Sequence, residues 1–169
     1  EQLIQNSLSV NEKYAEKIAL SADQHFSDML KELEYSAAQL EKDLNNPVLK
    51  YNEVSRLKNQ SDNFNSILLV SAKQQMLAYS PSSLGLSFRQ TYSTEGIIES
   101  LQKKKTYISS PYWSMNNNLV IMMSQPIHGK NNQYLGLISG IIHLHKKNVL
   151  NEMLSNQYDY KKSYMYVID

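Results

Sequence analysis

In the first 46 residues, apolar or small side chains recur at intervals built from threes and fours. They are Ile4, Leu8, Ala15, Ile18, Ala22, Phe26, Met29, Leu33, Ala37, Leu40 and Leu44. This spacing places them on one face of an α-helix, and Asn45-Asn46-Pro47 supplies a stop. A helix of about 44 residues is about 66 Å long, more than the diameter of a small domain. Part of it is therefore expected to project, to pair with a second copy or to connect to a membrane.

The two halves of this helix differ in the residues along the apolar face. From Phe26 onward the face is large and hydrophobic, so we expect it to pack on the sheet of its own domain. The N-terminal half carries Asn11 and Ala15 on or near that face, which suits a looser helix pair better than a core. We therefore expect the N-terminal half to pair with a second copy of the chain.

After residue 46 the apolar runs become short and alternate with polar turns. The pattern predicts a helix at 51–58, strands at 64–70 and 76–79, a helix after Ser93-Thr94-Glu95, strands at 106–109, 119–127 and 134–144, a helix at 145–154 and a strand at 163–169. This order predicts an α+β fold. A long N-terminal helix would pack on an antiparallel sheet of about five strands, with short helices on its flanks.

Composition narrows the class of protein. The 169 residues make room for one domain, or one domain plus an extension. The net charge of +1 argues against a nucleic-acid surface, and without cysteine the stability has to come from packing. No glycine-rich phosphate loop, G-x-S-x-G or H-E-x-x-H motif is present, so no catalytic residue is predicted. An enzyme is the weakest hypothesis.

The stretch from Thr106 to Leu144 is the most informative part of the chain. It reads as a strand, a Pro-aromatic break and two long apolar strands joined by a polar turn. The residues that form the pattern are Ser109, Pro111, Tyr112, Pro126, Ile127, Tyr134, Gly136 and Gly140. Their order resembles the second half of a Cache domain, the PAS-like extracytoplasmic sensor of bacterial transmembrane receptors.

This resemblance implies a division of the chain into three parts. Residues 1–46 would be a long helix that links to the membrane and dimerises. Residues 47–160 would be a PAS-like, membrane-distal sensor module, and residues 161–169 the first strand of a truncated membrane-proximal module. Glu1 is not a natural start, so we expect the chain to be a fragment of a membrane-anchored parent protein.

The resemblance also implies a function. The chain would be the ligand-sensing input domain of a histidine kinase, a diguanylate cyclase or a chemotaxis receptor, on the extracellular or periplasmic face of the membrane. It would bind a small molecule without any cofactor, and it would transmit through the long helix of a homodimer. The alternative is a ligand-free module that only dimerises or binds another protein.

In the Cache family the ligand lies between the sheet and the segment after the first hairpin, here residues 84–96. Arg89 lies in that segment, and its guanidinium suits a carboxylate; Tyr92 follows. The amino-acid-binding branch resembles Y-x-x-x-x-R-x-W-Y with a later Asp that holds the ligand's amino group. Leu84 and Thr91 depart from this pattern, and Ile141 stands near the position of that Asp. We therefore expect a small polar molecule, such as a carboxylate without an ammonium group. The equal alternative for Arg89 is a surface ion pair with a nearby glutamate.

Further candidates for the binding site lie in the Pro-aromatic break and on the central strands. They are Tyr107, Ser109, Tyr112, Trp113, Met122, Ser124 and Ser139. For Trp113 the alternative is a cap on the edge of the core, and for Met122 plain core packing. His143 and His145 are two apart on a strand and could begin a metal site, but no third ligand is evident, so none is predicted.

Overall fold

The computed structural model describes residues 2–60 and 62–155. Its helices are α1 (Gln2–Leu40), α2 (Pro47–Gln60), α3 (Glu95–Lys103) and α4 (Val149–Ser155). Its strands are β1 (Ser66–Ser71), β2 (Met76–Ser80), β3 (Tyr107–Ile108), β4 (Tyr112–Trp113), β5 (Leu119–His128) and β6 (Tyr134–His143). The strand predicted at 163–169 and the boundary at residue 160 lie outside the described residues.

The strands form one antiparallel sheet in the order β2-β1-β6-β5-β3, with β4 also paired to β5. The central pair is β5 and β6, where Ser124 faces Ser139 and Met122 faces Ile141. The α+β fold with a long N-terminal helix and an antiparallel sheet is thus confirmed. The structure has one more strand than the predicted five, because the two residues of β4 lie in the Pro-aromatic break.

One face of the sheet is covered by α1 and α2. Met29 and Leu33 of α1 and Leu57 of α2 are buried against this face, where β6 contributes Ile138 and Ile142. The C-terminal half of α1 therefore packs on its own sheet as its apolar pattern predicts. In the N-terminal half Ile18 is only 7% exposed, whereas Val10 and Leu20 are exposed. Pairing of this half with a second copy stays a prediction.

A polar cluster joins α1 to α2 at the edge of this layer. Ser36 donates a hydrogen bond to Glu53 Oε2 at 2.7 Å. Arg56 Nη2 contacts the same oxygen at 3.1 Å and donates to Ser36 Oγ at 2.6 Å. The guanidinium also lies 4.9 Å from the centre of the Tyr35 ring. Because Ser36 and Glu53 are buried, this network fixes one relative position of the two helices.

Three helix boundaries differ from the prediction, and local capping explains two of them. α1 ends at Leu40, short of the predicted 44 residues. α2 begins at Pro47 rather than 51, because Asn46 Oδ1 accepts the amide of Val48 at 3.0 Å as an N-cap does. Pro47 thus starts a helix rather than only stopping one. α4 begins at Val149 instead of 145, since Asn148 caps it by accepting the amide of Asn151 at 2.8 Å.

The opposite face of the sheet is covered by α3 and the loop that precedes it. Ile97 of α3 and Tyr92 of the loop pack with Met122 and Ile141. Successive strand residues point to opposite faces, so Ile141 joins this layer and Ile142 the helical layer. None of the described helices has a stretch long and apolar enough to span a bilayer.

Candidate functional site

A cleft opens on the face of the sheet that α3 covers. Its inner part is a cavity of about 80 Å³. The sheet contributes Ser66, Leu68, Met76, Tyr112, Val120, Ile141 and His143, and the covering segments contribute Leu84, Leu86, Tyr92, Thr94, Ile97, Ser114, Met115, Asn116 and Asn118. Four of these residues belong to the 84–96 segment, so that segment forms one wall of the cleft.

The cleft widens into an outer part of about 270 Å³. The two parts share Ser66, Leu84, Asn116, Asn118 and His143. The inner part is lined mostly by apolar side chains and tyrosine rings, whereas the outer part is lined mostly by amides, hydroxyls and an imidazole. Such a graded cleft suits a ligand with an apolar body and a polar end.

Tyr112 forms the inner wall, and its position depends on the start of α3. Its ring packs directly on Gly96, where a Cβ atom would lie only 2.7 Å from Tyr112 Cε1 and Oη. Its hydroxyl points to Met122 Sδ at 3.8 Å. Burial raises the pKa of the Tyr112 hydroxyl, and a hydrogen bond with Thr94 opposes that shift. The phenol is therefore neutral at physiological pH.

The loop wall of the cleft is held by tyrosine hydroxyl groups. Tyr92 Oη accepts the amide of Ser87 at 2.7 Å, and Tyr79 Oη donates to the carbonyl of Leu86 at 2.7 Å. The loop also hydrogen-bonds to the edge of β2 through its backbone, with the Arg89 amide donating to the Met76 carbonyl at 2.8 Å. These contacts order a segment that has little regular structure.

His143 ends β6 at the rim shared by the two parts of the cleft. Asn65 Oδ1 accepts its amide at 2.7 Å, and Asn148 Nδ2 donates to its carbonyl at 2.7 Å, so its backbone is fixed from both sides. Its Nδ1 is buried and has no hydrogen-bond partner among the described residues. Burial lowers the pKa of His143, and the charge of Lys146 lowers it further. The imidazole is therefore neutral near pH 7.

Two of the nine residues predicted for the site line the inner cavity, Tyr92 and Tyr112. Met122 lies fully buried beneath Tyr112. Arg89 is elsewhere: it is exposed and lines a separate groove with Phe88, Tyr51 and other residues of α2 and β2. The loop explains this, because Arg89 adopts a left-handed φ of 60° and pairs with the outer edge of β2.

The hydroxyls predicted on the central strands have partners within the protein. Ser124 donates to Ser100 Oγ at 2.9 Å, Ser139 donates to the Leu68 carbonyl at 3.4 Å, and Ser109 Oγ accepts the Met122 amide at 2.9 Å. All three are buried. Ser124 joins β5 to α3, Ser139 joins β6 to β1, and Ser109 holds the segment after β3 to β5. They do not line either part of the cleft.

Tyr107 and Trp113 also lie away from the cleft. Tyr107 donates a short hydrogen bond to Glu99 Oε2, which raises the pKa of Tyr107 to about 12. Trp113 is 62% exposed, so it neither covers the cleft nor packs into the core. Its neighbour Tyr112 points inward because successive residues of a strand face opposite sides.

The sequence reasoning missed the polar rim of the cleft. Thr94 and Ser66 line it, together with Ser114, Asn116 and Asn118 of the loop between β4 and β5. The run S-M-N-N-N at 114–118 was the available signal, since polar residues between two paired strands mark a turn. His143 is considered in the sequence as a metal ligand, or as the histidine an enzyme would need, but not as part of a binding site. No group of three metal-binding side chains occurs within 2–60 and 62–155.

Neither a protein-family model nor a curated protein matches the chain. Solved structures do. An extracellular ligand-binding receptor from Desulfohalobium retbaense DSM5692 superposes with a TM-score of 0.71 over 83% of this chain and 26% of its own length, at 16% identity. The ligand-binding domain of Mlp24 with asparagine superposes with a TM-score of 0.65 over 85% of this chain and 59% of its own, at 14% identity.

A third structure is the ligand-binding domain of the Pseudomonas aeruginosa PAO1 chemoreceptor PctC in complex with GABA. It superposes with a TM-score of 0.64 over 84% of this chain and 62% of its own, at 17% identity. The chain thus spans between about a quarter and three fifths of these structures. It has the fold of chemoreceptor ligand-binding domains, and the resemblance to Cache-type sensor domains is confirmed at the level of the fold.

Proposed function

We propose that this protein is an extracytoplasmic ligand-sensing input domain of a bacterial transmembrane receptor. A small molecule would bind in the cleft between the sheet and residues 84–96. The observation that carries the proposal is the cleft itself: it is graded from apolar to polar, and hydroxyl, amide and imidazole side chains line its rim. Such a lining suits a small ligand that forms hydrogen bonds at one end.

The solved structures with this fold support the proposal, because they are ligand-binding domains rather than enzymes. Those domains hold asparagine and GABA respectively. We propose the same role, binding without catalysis, for this chain. A histidine kinase, a diguanylate cyclase and a chemotaxis receptor are all compatible as the parent protein, which would place the domain on the outer face of the membrane.

The route of the signal is proposed from the layering of the fold. The cleft lies on one face of β5 and β6, and α1 packs on the other. A ligand that shifts these strands would move α1 with them, and a homodimer formed through the N-terminal half of α1 would pass the shift towards the membrane.

The size of the inner cavity favours a second hypothesis. Ligand pockets usually enclose about 300–1,000 Å³, whereas the inner part here is about 80 Å³. In that case the domain would bind nothing in the cleft and would act through protein contacts. The groove of about 270 Å³ beside α2, where Phe88 and Tyr51 are 66% and 67% exposed, is a candidate contact surface.

A thermal-shift screen separates the two hypotheses. The wild-type chain is melted in the presence of amides, alcohols, carboxylates, amines, amino acids and sugars. Two protein variants are melted with the same compounds. Leu84→Trp adds bulk inside the cleft, and Phe88→Trp is the matched control in the exposed groove. A ligand at about 100 times its Kd stabilises by about 2.7 kcal/mol, or roughly 5–11 °C for a chain of this size.

The ligand-sensing proposal predicts a shift that Leu84→Trp abolishes and Phe88→Trp preserves. If no compound stabilises the chain, or if the shift survives Leu84→Trp, the cleft is not the binding site. A melting profile unaffected by all compounds would favour the ligand-free hypothesis.

A further inference from the structure

The inner cavity of the cleft is lined without a single formal charge. Among the residues that line it there is no Asp, Glu, Lys or Arg, and the groups that could titrate are Tyr92, Tyr112 and His143. The pKa of Tyr112 is raised by burial and that of His143 is lowered by it. Both groups are therefore in their neutral forms near pH 7.

A charged ligand would lose hydration on entering this cavity and would find no charged side chain among the residues that line it. Glu95 acts on Tyr112 through space but does not line the cavity. Burying an ion without a partner is far more costly than burying a neutral polar group that forms hydrogen bonds. The one arginine near this region, Arg89, lies in the separate groove. Lys146 lines only the outer part of the cleft and is exposed. Water weakens its attraction for an anion, and the charge that acts on His143 from there does not enter the inner cavity.

The polar groups at the rim can both donate and accept hydrogen bonds. They are hydroxyls and side-chain amides, at Ser66, Thr94, Ser114, Asn116 and Asn118. A neutral imidazole has one nitrogen that donates and one that accepts, and His143 lines both parts of the cleft. The ligand group that matches this set is one that also donates and accepts, such as a carboxamide or a hydroxyl.

We propose that the cleft selects a small uncharged ligand, with an aliphatic body against Tyr112 and Ile141 and a carboxamide or hydroxyl end at His143. This rests on the proposed function, because it names the ligand class of the same cleft. The inference differs from what the asparagine- and GABA-bound structures would suggest, since both of those ligands carry charged groups.

The test uses three compounds of the same shape and different charge. Isobutyramide is neutral, isobutyrate is an anion and isobutyramidinium is a cation; each is planar at its polar end and has an isopropyl body. Their Kd values are measured by titrating the full 169-residue chain at pH 7.5 and constant ionic strength, and following amide shifts by NMR. Leu84→Trp and Phe88→Trp serve as the cleft variant and its control.

Isobutyramide is expected to bind at least about ten times more tightly than either ion, and Leu84→Trp is expected to remove that binding while Phe88→Trp keeps it. If either ion binds as tightly as the amide, in a way that Leu84→Trp removes, the inference about charge is wrong and the proposed function stands. If none of the three binds, the inference is also wrong. The proposed function fails with it only if the wider screen is silent as well.

A second variant tests the role given to His143. His143→Phe keeps a planar side chain and removes both nitrogens, so it should weaken isobutyramide about 3- to 10-fold, the usual effect of one lost hydrogen bond. His143→Asn retains a donor and an acceptor and should recover part of the affinity. Equal affinities in wild type and His143→Phe would show that the imidazole does not contact the ligand.

Discussion

Replacing Gly96 by alanine is expected to destabilise the protein, although alanine is the better helix residue. Gly96 is the second residue of α3, where the change from glycine to alanine alone would stabilise by about 0.5–1 kcal/mol. The added Cβ would, however, lie 2.7 Å from Cε1 and Oη and 2.9 Å from Cζ of the Tyr112 ring. Tyr112 is buried against Met122, so it cannot move away freely.

The gain from the better helix residue can be compared with the cost of the contact with Tyr112. Overpacking a well-packed core costs about 1–3 kcal/mol, so the net loss in the free energy of unfolding should be about 0–2.5 kcal/mol. In a Tyr112→Leu background the contacted atoms are absent, and the same Gly96→Ala change should stabilise by about 0.5–1 kcal/mol. The coupling energy between the two positions should therefore be about 1–3 kcal/mol.

The assay is a double-mutant cycle by urea unfolding, followed by circular dichroism. Four proteins are compared: wild type, Gly96→Ala, Tyr112→Leu and the double variant. If Gly96→Ala has the same effect in both backgrounds, the ring is not packed on Gly96 and the inner wall of the cleft is misplaced. The reversal of sign is the decisive feature, because general damage to α3 would appear equally in both backgrounds.

Three further outcomes follow from the same structure. Glu53→Gln should lower the free energy of unfolding in urea by about 1–3 kcal/mol, because Arg56 loses a charged acceptor. Glu34→Gln on the exposed face is the control and should change it by under about 0.5 kcal/mol. Equal effects of the two variants would contradict the network of Ser36, Glu53 and Arg56. Burial lowers the pKa of His143 in the folded state. As the pH falls below about 6.5, the imidazole of the unfolded chain is therefore protonated before that of the folded chain, and stability should fall from pH 7 towards pH 5. His143→Phe should make this fall in stability smaller, and an unchanged pH profile would refute the assignment of the fall to His143. Arg89→Ala should leave every cleft-dependent thermal shift intact, while a lost shift would return Arg89 to the site.

The sequence predicted the strands well because both faces of the sheet are buried. β5 and β6 are long, mostly apolar runs, and such runs bounded by polar turns have few alternatives. It predicted the short elements less well. β4 consists of Tyr112 and Trp113, too short for any period to show, and the start of α2 depends on the Asn46 cap rather than on an apolar pattern.

The site was harder to predict than the fold because loops position most of it. Tyr92 and Arg89 are three residues apart, yet one lines the cleft and the other the separate groove. That separation depends on the left-handed φ of Arg89 and on backbone pairing with β2, neither of which leaves a periodic trace. Residue type alone favoured Arg89, because an arginine side chain binds a carboxylate well, but residue type does not show where that side chain lies.

The arrangement of the two buried layers bears on how a bound molecule could be sensed. Ile141 lines the cleft and its neighbour Ile142 packs in the layer that holds α1, so the two sides are one sheet apart. Packed side chains transmit displacement because interiors are dense and have few voids. A shift of β6 at His143 would therefore reach α1 directly, without passing through a loop. On the proposed function, α1 would respond to the cleft across the sheet, whereas α3 would respond directly through Ile97.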